Sequence, residues 1–158
     1  MLDKPVFDSQ PERELISITV PVPPSVNQLY KNVPKIGRVK TKHYVNWMHE
    51  AGWKLKLQRP GRIGGAVMMI VSVEHSWDRG DIDNRVKPLF DLLVRHNVID
   101  DDSKVVGFSV AWAPARDDEA RVLIFPARDC TVQFQLSPDG RHGGWFLLTD
   151  TPSTEGDD

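Results

Sequence analysis

Residues 78–106 read DRGDIDNRVKPLFDLLVRHNVIDDDSKVV, and their reading decides the architecture. Val86, Leu89, Phe90 and Leu93 recur at three- and four-residue spacing, the period of a helix with one apolar face. The spacing predicts a helix over 82–96, regular from near Asn84. Pro88 then falls in the first turn, where its missing N–H is tolerated. Upstream, residues 65–76 carry the run AVMMIVSV, rich in β-branched residues and methionine, which predicts a buried strand. Downstream, 105–113 and 120–125 predict two more strands joined by a polar turn over 114–119. A helix set between strands in this way implies an α/β (α+β) domain with a mixed sheet.

Outward from this centre, 15–20 alternates apolar and polar residues, as a half-buried strand does. Pro21, Pro23 and Pro24 stop it. Residues 25–42 read as a long loop punctuated by Asn, Pro and Gly. Residues 44–58 read as a helix in which Val45, Met48, Trp53 and Leu57 share an apolar stripe, ended by Pro60 and Gly61. Residues 131–136 and 145–148 predict a terminal hairpin around Pro138-Asp139-Gly140. The expectation is one domain over 14–149, with a sheet of four to six strands and two main helices. Residues 1–13 form a flexible lead-in and 150–158 a disordered acidic tail.

Composition excludes several classes. The 158 residues contain one cysteine, Cys130, so neither an internal disulfide nor a cysteine-based zinc site is available. No uncharged run of eighteen residues exists, and the first residues lack the pattern of a signal peptide. A cytoplasmic setting is expected. The five histidines form no HxxxH or HExxH pair, and no GxSxG, GxxxxGK[ST] or GxGxxG motif occurs. These absences speak against a zinc hydrolase, a serine hydrolase and a nucleotide cofactor. An EF-hand starting at Asp81 fails at Arg85 and Val86.

Charge is unevenly spread. Between positions 31 and 62 nine Lys or Arg face one acid, Glu50; from 117 to 158 nine acids face three arginines. A basic segment beside clustered acids suits a surface that holds a polyanion next to a site that holds a cation. Solvated lysines on a loop and a helix face are the plain alternative.

The quoted stretch holds seven aspartates in 29 residues. Asp81 and Asp83 are one residue apart; in an extended segment their side chains point the same way. Their repulsion would be relieved by an oxygen-preferring cation such as Mg²⁺. An ordinary helix N-terminus accounts for one such acid, not for two with three more downstream. Asp83, Lys87 and Asp91 follow at four-residue steps on one helix face. They make either a surface salt-bridge stripe or a fixed cation, Lys87, near a scissile phosphate. Asp100-Asp101-Asp102 lies between two apolar elements, where a turn can return one or two acids to the helix start.

Together, Asp81-x-Asp83-Asn84-x-x-Lys87-x-x-x-Asp91-x-Leu93 and Val98-Ile99-x-Asp101-Asp102-x-x-Val105 resemble the RusA family of Holliday junction resolvases. The upstream Val22-Pro23-Pro24-Ser25-x-Asn27 is similar to that family's opening segment, and the resemblance spans roughly 15–126. It implies a Mg²⁺-dependent endodeoxyribonuclease, with Mn²⁺ as a substitute, acting as a homodimer on branched DNA, of bacterial or phage origin. It implies that Asp81, Asp83 and Asp102 bind metal, with Asp101 adjacent and Lys87 in the active site. Asn27 and the basic segment Lys31, Lys35, Arg38, Lys40 and Lys42 would lie near DNA, and Arg85 is counted with them. Residues 1–13 and 127–158 exceed the usual family length. A related nuclease for flaps, forks or duplexes shares every one of these residues. A DNA-binding module of the same fold would have no use for acids clustered beside phosphates. A carboxylate-pair glycosidase would need an apolar pocket and aromatic platforms, of which Trp77 is the sole sign near Asp81.

Overall fold

The computed structural model describes residues 11–75 and 80–148. It is a mixed α+β domain with eight strands and two helices. The central sheet runs β1-β6-β4-β5, built from β1 (Ile16–Pro21), β4 (Val67–His75), β5 (Val105–Pro114) and β6 (Glu119–Pro126). β4 and β5 are parallel, the other pairs antiparallel. A parallel pair needs a crossover, and α2 (Val86–Arg95) supplies it.

Alternation places one row of side chains from each strand against the helices. Ile16, Ile124, Met69 and Phe108 stand opposite one another; so do Ile18, Val122, Val71 and Val110, and then Val20, Ala120, Val73 and Trp112. Leu89, Leu92 and Leu93 of α2 pack on these rows with the buried face of α1 (Lys42–Gln58). α2 starts at Val86 after a 3₁₀ turn, Asp83–Arg85, so Pro88 does fall in the first turn of regular helix. Beyond its cap at His96 the chain turns away at Asn97, whose φ of 55° lets the Val98 N–H close on Leu93 O.

The buried face of α1 differs from the expected stripe. Tyr44, Trp47, Met48, Ala51 and Leu55 face the sheet, whereas Trp53 (67% exposed) and Leu57 (68%) face outward with Val45. Two apolar stripes interleave on this helix, and the inward one is fixed at its ends. Thr41 accepts from Tyr44 N, the Trp47 indole donates to Pro21 O, and Gln58 brackets Thr19 of β1 through both its amide atoms. The last pair covers the open edge of β1.

Residues 25–42 are not a loop. They form a 3₁₀ turn, Val26–Gln28, then a hairpin of β2 (Tyr30–Val33) and β3 (Gly37–Lys40). Both faces are mostly exposed and cationic, so no apolar alternation marks the strands. Lys35 (φ 66°) and Gly37 (φ 96°) turn the chain between them. A second hairpin, β7 (Thr131–Leu136) with β8 (Gly143–Leu148), lies against β5 and β4, and the Trp145 indole donates to Val110 O. Pro11, Glu12 and Arg13 are tied to Arg62, whose side chain also pairs with Glu12. Residues 150–158 and most of the lead-in lie outside the described residues. No helix among those described is long and apolar enough to cross a membrane.

Candidate active site

The site forms where α2 begins. Asp81 and Asp83 precede it, exposed, and no hydrogen bond or ion pair ties either carboxylate among the described residues. The chain is not extended there: Ile82 is helical (φ −66°, ψ −38°), and Asp83 opens the 3₁₀ turn. Shared orientation through strand alternation therefore does not apply.

One turn on, Lys87 Nζ donates to Asp102 Oδ2 at 2.8 Å and to Asp91 Oδ1 at 2.9 Å. The three adjacent aspartates thus have separate tasks. Asp100 accepts from Gly65 N at 2.9 Å and pairs with Arg62. Asp101 caps the short turn Asp102–Lys104, accepting from Ser103 N at 3.2 Å. Asp102 alone meets Lys87. The hydrogen bond from Lys87 holds the Asp102 carboxyl below the usual range. In return the bonds to Asp102 and Asp91 hold the ammonium well above the ordinary lysine value. Lys87 is charged at any physiological pH.

Asp91 has a second partner that spacing did not reveal. The Tyr44 hydroxyl, on α1, donates to Asp91 Oδ2 at 3.2 Å. Burial, then the neighbouring Asp91, pushes the Tyr44 phenol up to about 12. The Tyr44 ring packs edge-on against Tyr30 at 6.1 Å, and the Arg38 guanidinium lies 4.4 Å over the Tyr30 ring. Lys40 approaches the Tyr44 ring at 5.7 Å.

Of the other sequence-predicted residues, Lys31, Lys35, Arg38, Lys40 and Lys42 are all exposed, on the hairpin or at the start of α1. Asn27 is exposed on the Val26–Gln28 turn. It lines a cleft of about 600 Å³, together with Pro23, Pro24, His43, Arg85 and Gly80, the residue before Asp81. Arg85 is unlike the other cations. It is buried, and Nη1 donates to Pro23 O at 2.8 Å, bracing the 3₁₀ turn against the Val22-Pro23-Pro24 segment.

A divalent cation is implied by the acids, and the donor set suits one: three carboxylates, with no thiolate or imidazole. The oxygens of Asp81, Asp83 and Asp102 do not all lie within 4.8 Å of one another, so one ion could be held by all three only if they move together. Among the described residues the acids that do approach so closely are Glu74, Asp117 and Glu119, a group the sequence reading missed. Glu74 Oε2 already accepts from the N–H groups of Arg116, Asp117 and Glu119 at 3.1, 2.8 and 3.3 Å. It clamps the β5–β6 turn. Burial works to raise its carboxyl, but the backbone N–H groups of this turn outweigh that and lower it.

The family model of endodeoxyribonuclease RusA matches residues 20–125, from the end of β1 to the end of β6. No curated protein matches the chain.

Proposed function

Because the chain belongs to the RusA endodeoxyribonuclease family, we propose that it resolves four-way DNA junctions by paired, Mg²⁺-dependent phosphodiester hydrolysis. The observation that carries this reading is the contact of Lys87 with Asp102, on a helix preceded directly by two uncommitted acids, Asp81 and Asp83. Phosphodiester hydrolysis needs an activated water, an electrophilic phosphorus and a stabilised leaving oxygen. Asp81, Asp83 and Asp102 would hold the ion. When bound, Mg²⁺ supplies Lewis-acid polarisation of the phosphate and a more acidic water; Mn²⁺ satisfies the same hard-oxygen set. Lys87 places a fixed positive charge where negative charge develops. Asp101 sets the turn that presents Asp102.

The exposed cations Lys31, Lys35, Arg38, Lys40 and Lys42 would neutralise phosphates along the junction arms, while Asn27 would hydrogen-bond to the DNA from the cleft whose wall Arg85 helps to form. A junction has near two-fold symmetry, so a homodimer presents two equal sites to opposed strands. The outward apolar residues of α1 are available for such a contact. This reading places the protein in the cytoplasm of a bacterial or phage-infected cell.

Strand-mapped cleavage of a mobile four-way junction, run beside a linear duplex, flap and fork of equal length, tests the proposal. Symmetric nicks in the junction, absent with EDTA and restored by Mg²⁺, are expected. Asp81→Asn should bind the junction and leave it intact. Full activity of that variant refutes the site assignment; equal cutting of linear duplex refutes junction selectivity.

A further inference from the structure

We infer that Asp91 and Tyr44 are positioning residues that hold Lys87 in place for phosphodiester cleavage; the inference rests on the nuclease reading above. An ammonium has three N–H donors. Two are spent on Asp102 Oδ2 and Asp91 Oδ1, at 2.8 and 2.9 Å, which leaves one to meet a phosphate oxygen. Asp102 belongs to the acids assigned to the ion. Asp91 does not, so Asp91 alone anchors Lys87 independently of how Asp102 is engaged.

An exposed lysine paired four residues along a helix is ordinarily loose and worth little. Here the acid cannot swing. One oxygen of Asp91 takes the lysine and the other takes the Tyr44 hydroxyl at 3.2 Å. Tyr44 is itself 2% exposed and fixed within the core by Tyr30 and by the first turn of α1. The chain of contacts therefore runs from a buried ring to an exposed ammonium. Each link removes a rotation, and a fixed charge outperforms a mobile one because it needs no reorganisation when the substrate reacts. The same ring bears the hairpin that carries Arg38 and Lys40.

The test uses the full chain and two readouts. In single-turnover cleavage of a four-way junction with Mg²⁺, Tyr44→Phe should slow cleavage about tenfold and Asp91→Asn roughly ten- to a hundredfold. Junction affinity without divalent metal should stay within about twofold, and Asp91→Glu should recover part of the rate. In the metal-free protein, the Lys87 side-chain ammonium should give a slowly exchanging ¹H–¹⁵N NMR signal that either variant abolishes. Unchanged rates, or a persistent ammonium signal in both variants, overturn the inference. Loss of affinity in step with rate overturns it too, since that marks a general structural role. If the unaltered protein cuts no DNA, the nuclease reading fails on its own, and the NMR arm still judges the positioning.

Discussion

The ammonium of Lys87 meets the carboxylate of Asp102 at 2.8 Å across a separation of fifteen residues. That contact is where two distant parts of the chain become one site. Lys87→Met keeps the stem and removes the charge. Cleavage should fall by about 10²- to 10³-fold while junction binding changes little, as for loss of a charge aimed at the reacting group. Without its partner, the Asp102 carboxyl should titrate back up towards its ordinary 3.8. Carboxyl ¹³C NMR across acidic pH, with quench-flow cleavage, checks both outcomes.

The hairpin cations are a second point of test. Lys40→Ala with Lys42→Ala should weaken junction binding and flatten its salt dependence. Two lost phosphate contacts reduce the slope of log affinity against log salt by about 2 on duplex arms. A salt titration by fluorescence anisotropy reads the slope directly. An unchanged slope removes this strand pair from the contact surface.

Glu74 should contribute to stability in a pH-dependent way. Its carboxyl is held below the ordinary 4.5, so its contribution is present above that pH and is lost as pH falls further. It is 6% exposed and serves three backbone N–H groups. Glu74→Ala leaves those donors unpaired and should cost about 2–3 kcal/mol at neutral pH. Urea unfolding at pH 7 and pH 3.5 should show the gap between the two proteins narrowing at the lower pH.

Gly52 tests the seam between the helices. A Cβ there would lie 2.6 Å from His96 Nε2 at the end of α2. The contact is with the tip of a half-buried side chain that can turn aside, so displacing the His96 ring offsets part of alanine's ~1 kcal/mol advantage as a helix former and Gly52→Ala should change stability by less than about 1 kcal/mol. Adding His96→Ala should release the full gain of alanine at 52 in a double-mutant cycle by thermal denaturation.

The readable parts of this fold were those in which one periodicity met one environment. β1 shows alternation because one face is core, and α2 shows a single apolar stripe. α1 carries two stripes, so period alone could not choose Tyr44 and Trp47 over Val45 and Trp53; the choice lies in Trp47's bond to Pro21 and the cap at Thr41. β2 and β3 were invisible because neither face is apolar. At the site, the acids and Lys87 stood out by type and spacing. The division of labour among Asp100, Asp101 and Asp102 did not, since it follows from a turn geometry that spacing does not encode. Nor could Asp91's second partner be read, because Tyr44 lies 47 residues away on another helix.

The terminal hairpin β7–β8 lies beyond residue 125, where the family match stops. Ser72 and Arg121 of the sheet share a groove with its Gly144 and Phe146, and Ile70 and Ala111 on that sheet face are shielded from water. Trimming the gene to the matched segment would strip this lid from a greasy surface and yield a sticky, poorly folding fragment. Homology marks where the chemistry ends; solvent exclusion marks where the folding unit ends, and here the second frontier is the farther one.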